Sequence, residues 1–282
     1  MIRTLPFIKA HGCENSFVLL DLRRERSLSL GKLAAKLCDK AAGIGADGLI
    51  GLASSSRADF RMKYYNADGS PGEMCGNGVR CLALLIREWD ISQARSVSFE
   101  TGAGIIRVSY AGRSGGAEMF EVDMGAPRFN SKDFRVPKSA ASSSSRQLSE
   151  VTLRGRRYAL VSMGNPHAIT FVTSDIDPAL EGPWIEQNEK LFPNGTNVEF
   201  VRVLSRSHLK VRVWERGCGV TRACGTGACA AVVAAVSKGL VRSGPVKVSL
   251  DGGSLLIEWQ PDGGTVSMTG PAVLVAEGKT RI

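Results

Sequence analysis

Apolar and polar positions alternate with period two through RMKYYN (61–66), SVSFE (96–100), IIRVSY (105–110), KVRVWE (210–215), VKVSL (246–250) and SLLIEW (254–259). That alternation predicts half-buried strands. A helical stripe from Leu30 to Lys40, ended by Gly43, and a second from about Pro178 to Lys190 predict amphipathic helices. Two other segments, CLALLI (81–86) and GACAAVVAAV (227–236), are apolar nearly all round. A helix of that kind is buried on every side, so strands must wrap around it. The predicted class is α+β: strand-rich domains, each a barrel-like mixed sheet around one central helix.

The pattern occurs twice. MCGNGVRCLALLI (74–86) returns as ACGTGACAAVVAA (223–235), which places Cys75 and Cys224 149 positions apart. Other landmarks keep the same offset within one residue. Asn15 and Asn165 each lead into an apolar run, and Gly48 and Asn197 start further strands. Asn66 and Glu215 end strands nine residues before each cysteine, and Gly102 and Gly252 open turns between strand pairs. A repeat of about 150 residues is too long for a solenoid. It predicts two homologous domains related by an approximate twofold, 1–125 and 126–270, with the joint near Met124 to Pro127. The Pro/Ser-rich stretch 131–147 reads as a flexible surface loop early in the second domain.

Composition narrows the function classes. A 43% apolar and 22% charged chain of 282 residues has ample core and is not disordered. No apolar run approaches the roughly 20 residues of a membrane span, and the first residues lack a secretion-signal pattern, so no membrane association and a cytoplasmic location are expected. The net charge of +9 keeps a nucleic-acid-binding protein as a remote alternative, but the basic residues are scattered and only 6% of the chain is aromatic. No nucleic-acid partner is therefore expected. Seven cysteines, none in a CxxC pair or a zinc spacing, indicate neither a disulfide framework nor a metal site.

The two cysteines at glycine-rich helix starts carry the chemistry. The first turn of a helix presents N–H groups and a partial positive charge, so a thiolate there is favoured and its pKa can fall below the reference of about 8.5. The following glycines let the backbone approach and cradle a substrate carboxylate. Cys38, Cys81 and Cys229 read as small core hydrophobes, as do Cys13 and Cys218, although the last two sit in glycine loops. A twofold would bring the two helix starts together. Inverting a stereocentre needs one group to take a proton and another of like pKa to return one on the opposite face, and two thiols in equivalent settings meet that need. The competing reading, a redox disulfide, is disfavoured because catalytic dithiols usually share one local CxxC.

Through MCGNGVRC, YNADGS, SMGNPH and ERGCGVTRACGTGACA the chain resembles the diaminopimelate epimerases, cofactor-independent enzymes that interconvert LL- and meso-diaminopimelate on the route to lysine and peptidoglycan. The resemblance implies Cys75 and Cys224 as the base and acid pair, with His167 and Glu215 at positions associated with proton transfer. It implies Gly76, Asn77, Gly225 and Thr226 as clamps on the reacting carboxylate, and Asn15, Asn66, Asn165, Asn197, Glu215 and Arg216 as the set fixing the distal amino-acid end. Taken alone the asparagines also read as turn or cap residues, and His167 equally as a hydrogen-bonded structural imidazole. The resemblance further implies a last strand, about Pro271 to Ile282, returning to the first domain. It implies a small amino-acid substrate and no cofactor, although the sequence alone does not exclude pyridoxal phosphate; a homodimer is left open. Proline racemases and hydroxyproline epimerases, the alternative on the same scaffold, carry His where Asn77 stands. Two departures stand out: HGCENSF where many relatives read HGLGNDF, and Gly48 where some carry Gln, so that any contact there is through the backbone.

Overall fold

The computed structural model describes residues 4–25, 28–130, 132–136, 148–262 and 264–281. The chain divides into two compact units, Met1–Val122 with Thr269–Ile282, and Asp123–Met268. The first contains β1 (Thr4–Gly12), β2 (Asn15–Asp21), α1 (Leu30–Cys38), β3 (Gly48–Ala53), β4 (Phe60–Asn66), β5 (Pro71–Gly72), α2 (Gly76–Glu88), β6 (Ser96–Thr101), β7 (Gly104–Ser114) and β8 (Ala117–Asp123). The second contains β9 (Ser149–Leu153), β10 (Arg156–Ser162), β11 (Pro166–Phe171), α3 (Pro178–Glu186), β12 (Asn197–Ser205), β13 (His208–Glu215), β14 (Gly219–Thr221), α4 (Gly225–Ser237), β15 (Val246–Leu250) and β16 (Gly253–Glu258). A last strand, β17 (Ser267–Arg281), carries the chain back into the first unit.

Strand pairing follows one scheme in both units. In the first, β1–β2 is antiparallel, β2–β3 parallel, β3–β4 antiparallel, β4–β6 parallel and β6–β7 antiparallel. In the second, β10–β11, β11–β12, β12–β13, β13–β15 and β15–β16 repeat that order of directions. In the first unit β17 pairs with both β1 and β8, so eight strands close on themselves. Closure removes the free edges that would otherwise template aggregation. The two expected central helices are present. α2 packs on β1, β2, β3 and β7, with Gly76 to Ile86 all buried, and α4 packs on β10 to β13, β15 and β16. The alanines and small glycines of α4 let strands approach it closely on several sides.

Three local expectations need correction. The helix predicted to Lys40 stops at Cys38, because the Asp39 carboxylate accepts the N–H groups of Ala41 and Ala42 and turns the chain away. The helix predicted to Lys190 stops at Glu186, and it is not cleanly amphipathic: Leu180 and Trp184 are exposed, the latter covered by the Arg154 guanidinium. The serine-rich loop lies outside the described residues except for 132–136, and there Phe134 is buried in a cluster with Tyr158, Leu160 and Phe192 rather than facing water.

One glycine of α3 is demanded by packing. A Cβ on Gly182 would lie 2.3 Å from Trp214 Cγ, and the indole cannot easily yield because its Nε1 donates to Glu186 Oε2 at 2.6 Å. Gly182→Ala is expected to destabilise the protein by about 1–3 kcal/mol, the usual cost of overpacking. An unchanged urea midpoint would show that α3 shifts freely instead.

Candidate active site

The pairing scheme explains why the landmark residues converge within each unit. β2 and β3 run parallel and β4 returns antiparallel, so the starts of β2 and β3 and the end of β4 share one edge of the sheet. Asn15, Gly48 and Asn66 occupy those three positions. α2 begins nearby, with Cys75 as its N-cap in extended backbone. β11, β12 and β13 repeat the arrangement with Asn165 just before β11, Asn197 opening β12 and Glu215 closing β13, and Cys224 is the N-cap of α4.

In the first unit a tight two-residue hairpin between β1 and β2 sets the site. Cys13 and Glu14 both adopt positive φ (52° and 62°), the geometry of a turn that matches strand twist. Asn15 therefore enters β2 at a fixed angle. Its Oδ1 accepts the Cys75 thiol at 3.6 Å and Asn77 Nδ2 at 3.2 Å, while its Nδ2 donates to Asp47 Oδ2 at 3.2 Å. Ser16, one of the departures, adds its backbone N–H and its hydroxyl to the same carboxylate oxygen. Behind Asn77 lies Arg80, wholly buried, which donates to Asn77 Oδ1 at 2.9 Å, to the Gly76 carbonyl at 3.1 Å and to the Pro271 carbonyl of β17 at 3.2 Å. Gly48 has no room for a side chain: a Cβ there would meet Tyr64 Cε2 and the Tyr65 carbonyl at 2.8 Å. Asn66 is held apart from this network by the Tyr64 hydroxyl and Ser70.

The second unit builds a longer network on its cysteine. Cys224 Sγ accepts the Gly227 N–H at 3.3 Å and lies 3.5 Å from Thr226 Oγ1. Thr226 receives Asn165 Nδ2 at 3.3 Å, and Asn165 Oδ1 faces His167 Nε2 at 3.1 Å. The other ring nitrogen of His167 is 2.7 Å from Glu199 Oε1, and neither residue is exposed. Glu215 takes a short hydrogen bond from Thr221 and another from Cys224. Asn197 is a strut, with Nδ2 donating to the Pro166 carbonyl and Oδ1 accepting the Arg216 N–H, both at 3.0 Å. The Arg216 guanidinium is exposed and donates to the Asn194 carbonyl at 3.1 Å.

The hydrogen-bond partners of the two cysteines differ, contrary to the expectation of equivalent settings. Burial, reinforced by the Glu215 and Glu199 carboxylates, raises the Cys224 thiol well above its ordinary value; hydrogen bonds from Thr226 and Gly227 do not offset that. The expectation of a lowered pKa is thus corrected for Cys224, because desolvation and two nearby carboxylates outweigh the helix end. Burial also raises Glu215, helped by Glu199 and opposed by the bonds from Thr221 and Cys224. Cys75 is half-buried, and its thiol donates to Asn15 Oδ1. The remaining cysteines mostly fit the core reading: burial pushes Cys81 up to about 12 and Cys38 up to about 11, and Cys13 and Cys229 are buried. Cys218 is exposed, because it sits in the turn between β13 and β14 where no strand covers it.

A profile of the diaminopimelate epimerase family matches residues 7–130 and 159–275, spanning both helix starts. The chain belongs to this family. It is 43% identical to the diaminopimelate epimerase of Agathobacter rectalis, covering 99% of this chain and all of that one. It is 44% identical to the enzyme of Pseudomonas savastanoi pv. phaseolicola, covering 99% of each. Among solved structures, a phenazine biosynthesis protein of the PhzF family from Bacillus anthracis superposes with a TM-score of 0.71 at 17% identity, covering 99% of this chain and all of that one. A hydroxyproline epimerase from Agrobacterium vitis with bound trans-4-hydroxy-L-proline gives 0.69 at 15% identity, covering 99% and 93%. At such identities these two share the fold. Among the described residues no helix is long and apolar enough to cross a membrane.

Within this diaminopimelate epimerase family member, four residues of the network escaped the sequence reading: Asp47, Arg80, Glu199 and Thr221. For Glu199 and Arg80 a signal existed. Each is a charge inside a segment that otherwise reads as fully buried, NVEFV in one case and the α2 helix in the other. A buried charge needs partners and therefore marks a network. Asp47 and Thr221 lie in turn-like sequence, where polar residues carry no such signal.

Proposed function

We propose that this chain interconverts LL- and meso-diaminopimelate by two-base proton transfer, without a cofactor, in the biosynthesis of lysine. The observation that carries the reading is the occurrence of a cysteine N-cap on each of two buried helices in a member of this family. The Cys75 thiolate takes the α-proton, forming an S–H bond as the C–H bond breaks, and leaves a carbanion. The Cys224 thiol then gives its proton to the opposite face of that carbon and becomes the thiolate. The raised Cys224 suits it to begin as the donor in this direction, and the reverse reaction exchanges the roles. As Cys224 loses its proton, Gly227 N–H and Thr226 are placed to stabilise the sulfur anion.

The backbone N–H groups at Gly76, Asn77, Gly225 and Thr226 precede the first intrahelical bonds, which Val79 and Ala228 make to the two cysteine carbonyls. They supply the dipoles for the substrate carboxylate and for the enolate charge that develops on it. Asn15, Asn66, Asn165, Asn197, Glu215 and Arg216 form the polar set for the distal zwitterion, with Gly48 contributing backbone alone. The test is inversion of LL-diaminopimelate in deuterium oxide by protein freed of metal and pyridoxal phosphate. The expected result is inversion with one deuterium entering at the α-carbon. Inversion of proline or hydroxyproline in its place would overturn the substrate assignment, and loss of activity on removing a cofactor would overturn the mechanism.

A further inference from the structure

Glu199 is an anomaly of packing. It lies near the start of β12, has no exposure, and its Oε2 has no hydrogen-bond partner among the described residues. Such a group is costly unless something requires it. The chain contains its own control. The third residue of β3, in the place Glu199 holds in β12, is Ile50. Ile50 Cδ1 lies 2.5 Å from where a Cβ on Gly78 would stand, and Glu199 Oε1 lies 2.6 Å from the same point on Gly227. The neighbours match as well: Phe17 of β2 is in register with Gly48, and His167 of β11 is in register with Asn197. An apolar pair, Phe17 and Ile50, therefore fills under α2 the space that His167 and Glu199 fill under α4, so packing alone does not need the charged pair.

We infer that Glu199 is a positioning residue for proton transfer at Cys224, acting through His167, Asn165 and Thr226. The direction of each bond follows from the geometry. Asn165 donates to Thr226, so its oxygen faces His167 and requires a hydrogen on Nε2. The 2.7 Å contact between Nδ1 and Glu199 Oε1 then holds the ring in that orientation. With its lone pair engaged by Asn165, the Thr226 hydroxyl is left to point its hydrogen at Cys224 Sγ. Without Glu199 the ring is free to take the other tautomer, Asn165 loses its fixed orientation, and the donor to the sulfur is no longer aligned. Among the described residues, Glu215 and Cys224 are ionisable groups that interact with the pair.

The inference rests on the proposed two-thiol reaction, and its test separates the two. In Glu199→Gln the expected result is a kcat at least about tenfold lower at unchanged KM, together with loss of the far-downfield proton on His167 Nδ1 in imidazole ¹⁵N–¹H spectra. With three histidines in the chain, that signal is assignable. The double variant H167F/E199I, which copies the pair under α2, is expected to fold with wild-type cooperativity and to be as slow or slower. Turnover within about twofold of wild type in either variant, or a slow Glu199→Gln that retains the downfield proton, overturns the assignment. Absence of diaminopimelate inversion in the unaltered protein would instead overturn the reaction, and the imidazole signal would still report whether Glu199 fixes the ring.

Discussion

Cys224→Ala and Cys75→Ala are each expected to lower inversion by at least about 10³-fold, a loss typical of removing a proton-transferring group, while leaving thermal unfolding within a few degrees of wild type. Both side chains are small N-caps whose replacement by Ala removes a single sulfur atom, so the fold is expected to survive the change. The variants should not be equivalent. With Cys224 gone, the Cys75 side still meets the α-hydrogen of one stereoisomer and can exchange it with deuterium without completing inversion. With Cys75 gone, exchange should be confined to the opposite stereoisomer and should be slower near neutral pH, because burial and two carboxylates keep Cys224 protonated there. The measurement is α-hydrogen loss by proton NMR on LL- and meso-diaminopimelate taken separately. Exchange of both isomers by either single variant, or inversion within tenfold of wild type, would remove the two-thiol reaction.

What was legible in the sequence, and what was not, follows from how each feature is encoded. The buried helices could be read because an all-round apolar segment has few other fates, and the wrapped strands because alternation has one period. The strand-end positions of Asn15, Asn165, Asn66, Glu215, Gly48 and Asn197 could be read because duplication placed each at the same strand end twice. Duplication also misled. It suggested two thiols in equivalent surroundings, whereas the copies have diverged under the helix starts: Phe17 and Ile50 in one, His167 and Glu199 in the other, with Arg80 set against Cys229. Charge differences of that kind are long-range sums over burial and neighbours, and no local pattern carries them. Helix ends were misplaced for a simpler reason. The apolar stripe of α1 continues past Cys38, but one Asp39 carboxylate competes for the next two amides and wins.

Arg80→Met is expected to destabilise the protein by about 3–5 kcal/mol, the largest loss expected of any single substitution considered, since removing one member of a buried polar cluster strands the others. The side chain volume is roughly kept, so the loss isolates the guanidinium. Its removal takes away the guanidinium bonds to Asn77 Oδ1 and to the Gly76 and Pro271 carbonyls. Pro271 belongs to β17, so the same group fastens the returning strand to the start of α2; Gly12 is a glycine partly because a Cβ there would stand 2.8 Å from Arg80 Nη2. Arg80→Lys should recover little, because a single ammonium cannot span three acceptors arranged around a planar fork. The consequence reaches the chemistry through Asn77, whose Nδ2 shares Asn15 Oδ1 with the Cys75 thiol. Both variants should therefore lose turnover as well as stability, and turnover should stay low at temperatures where circular dichroism shows them folded. A urea midpoint within the error of wild type for Arg80→Met would mean that water replaces the guanidinium at that helix start, and that the first unit is held together from elsewhere.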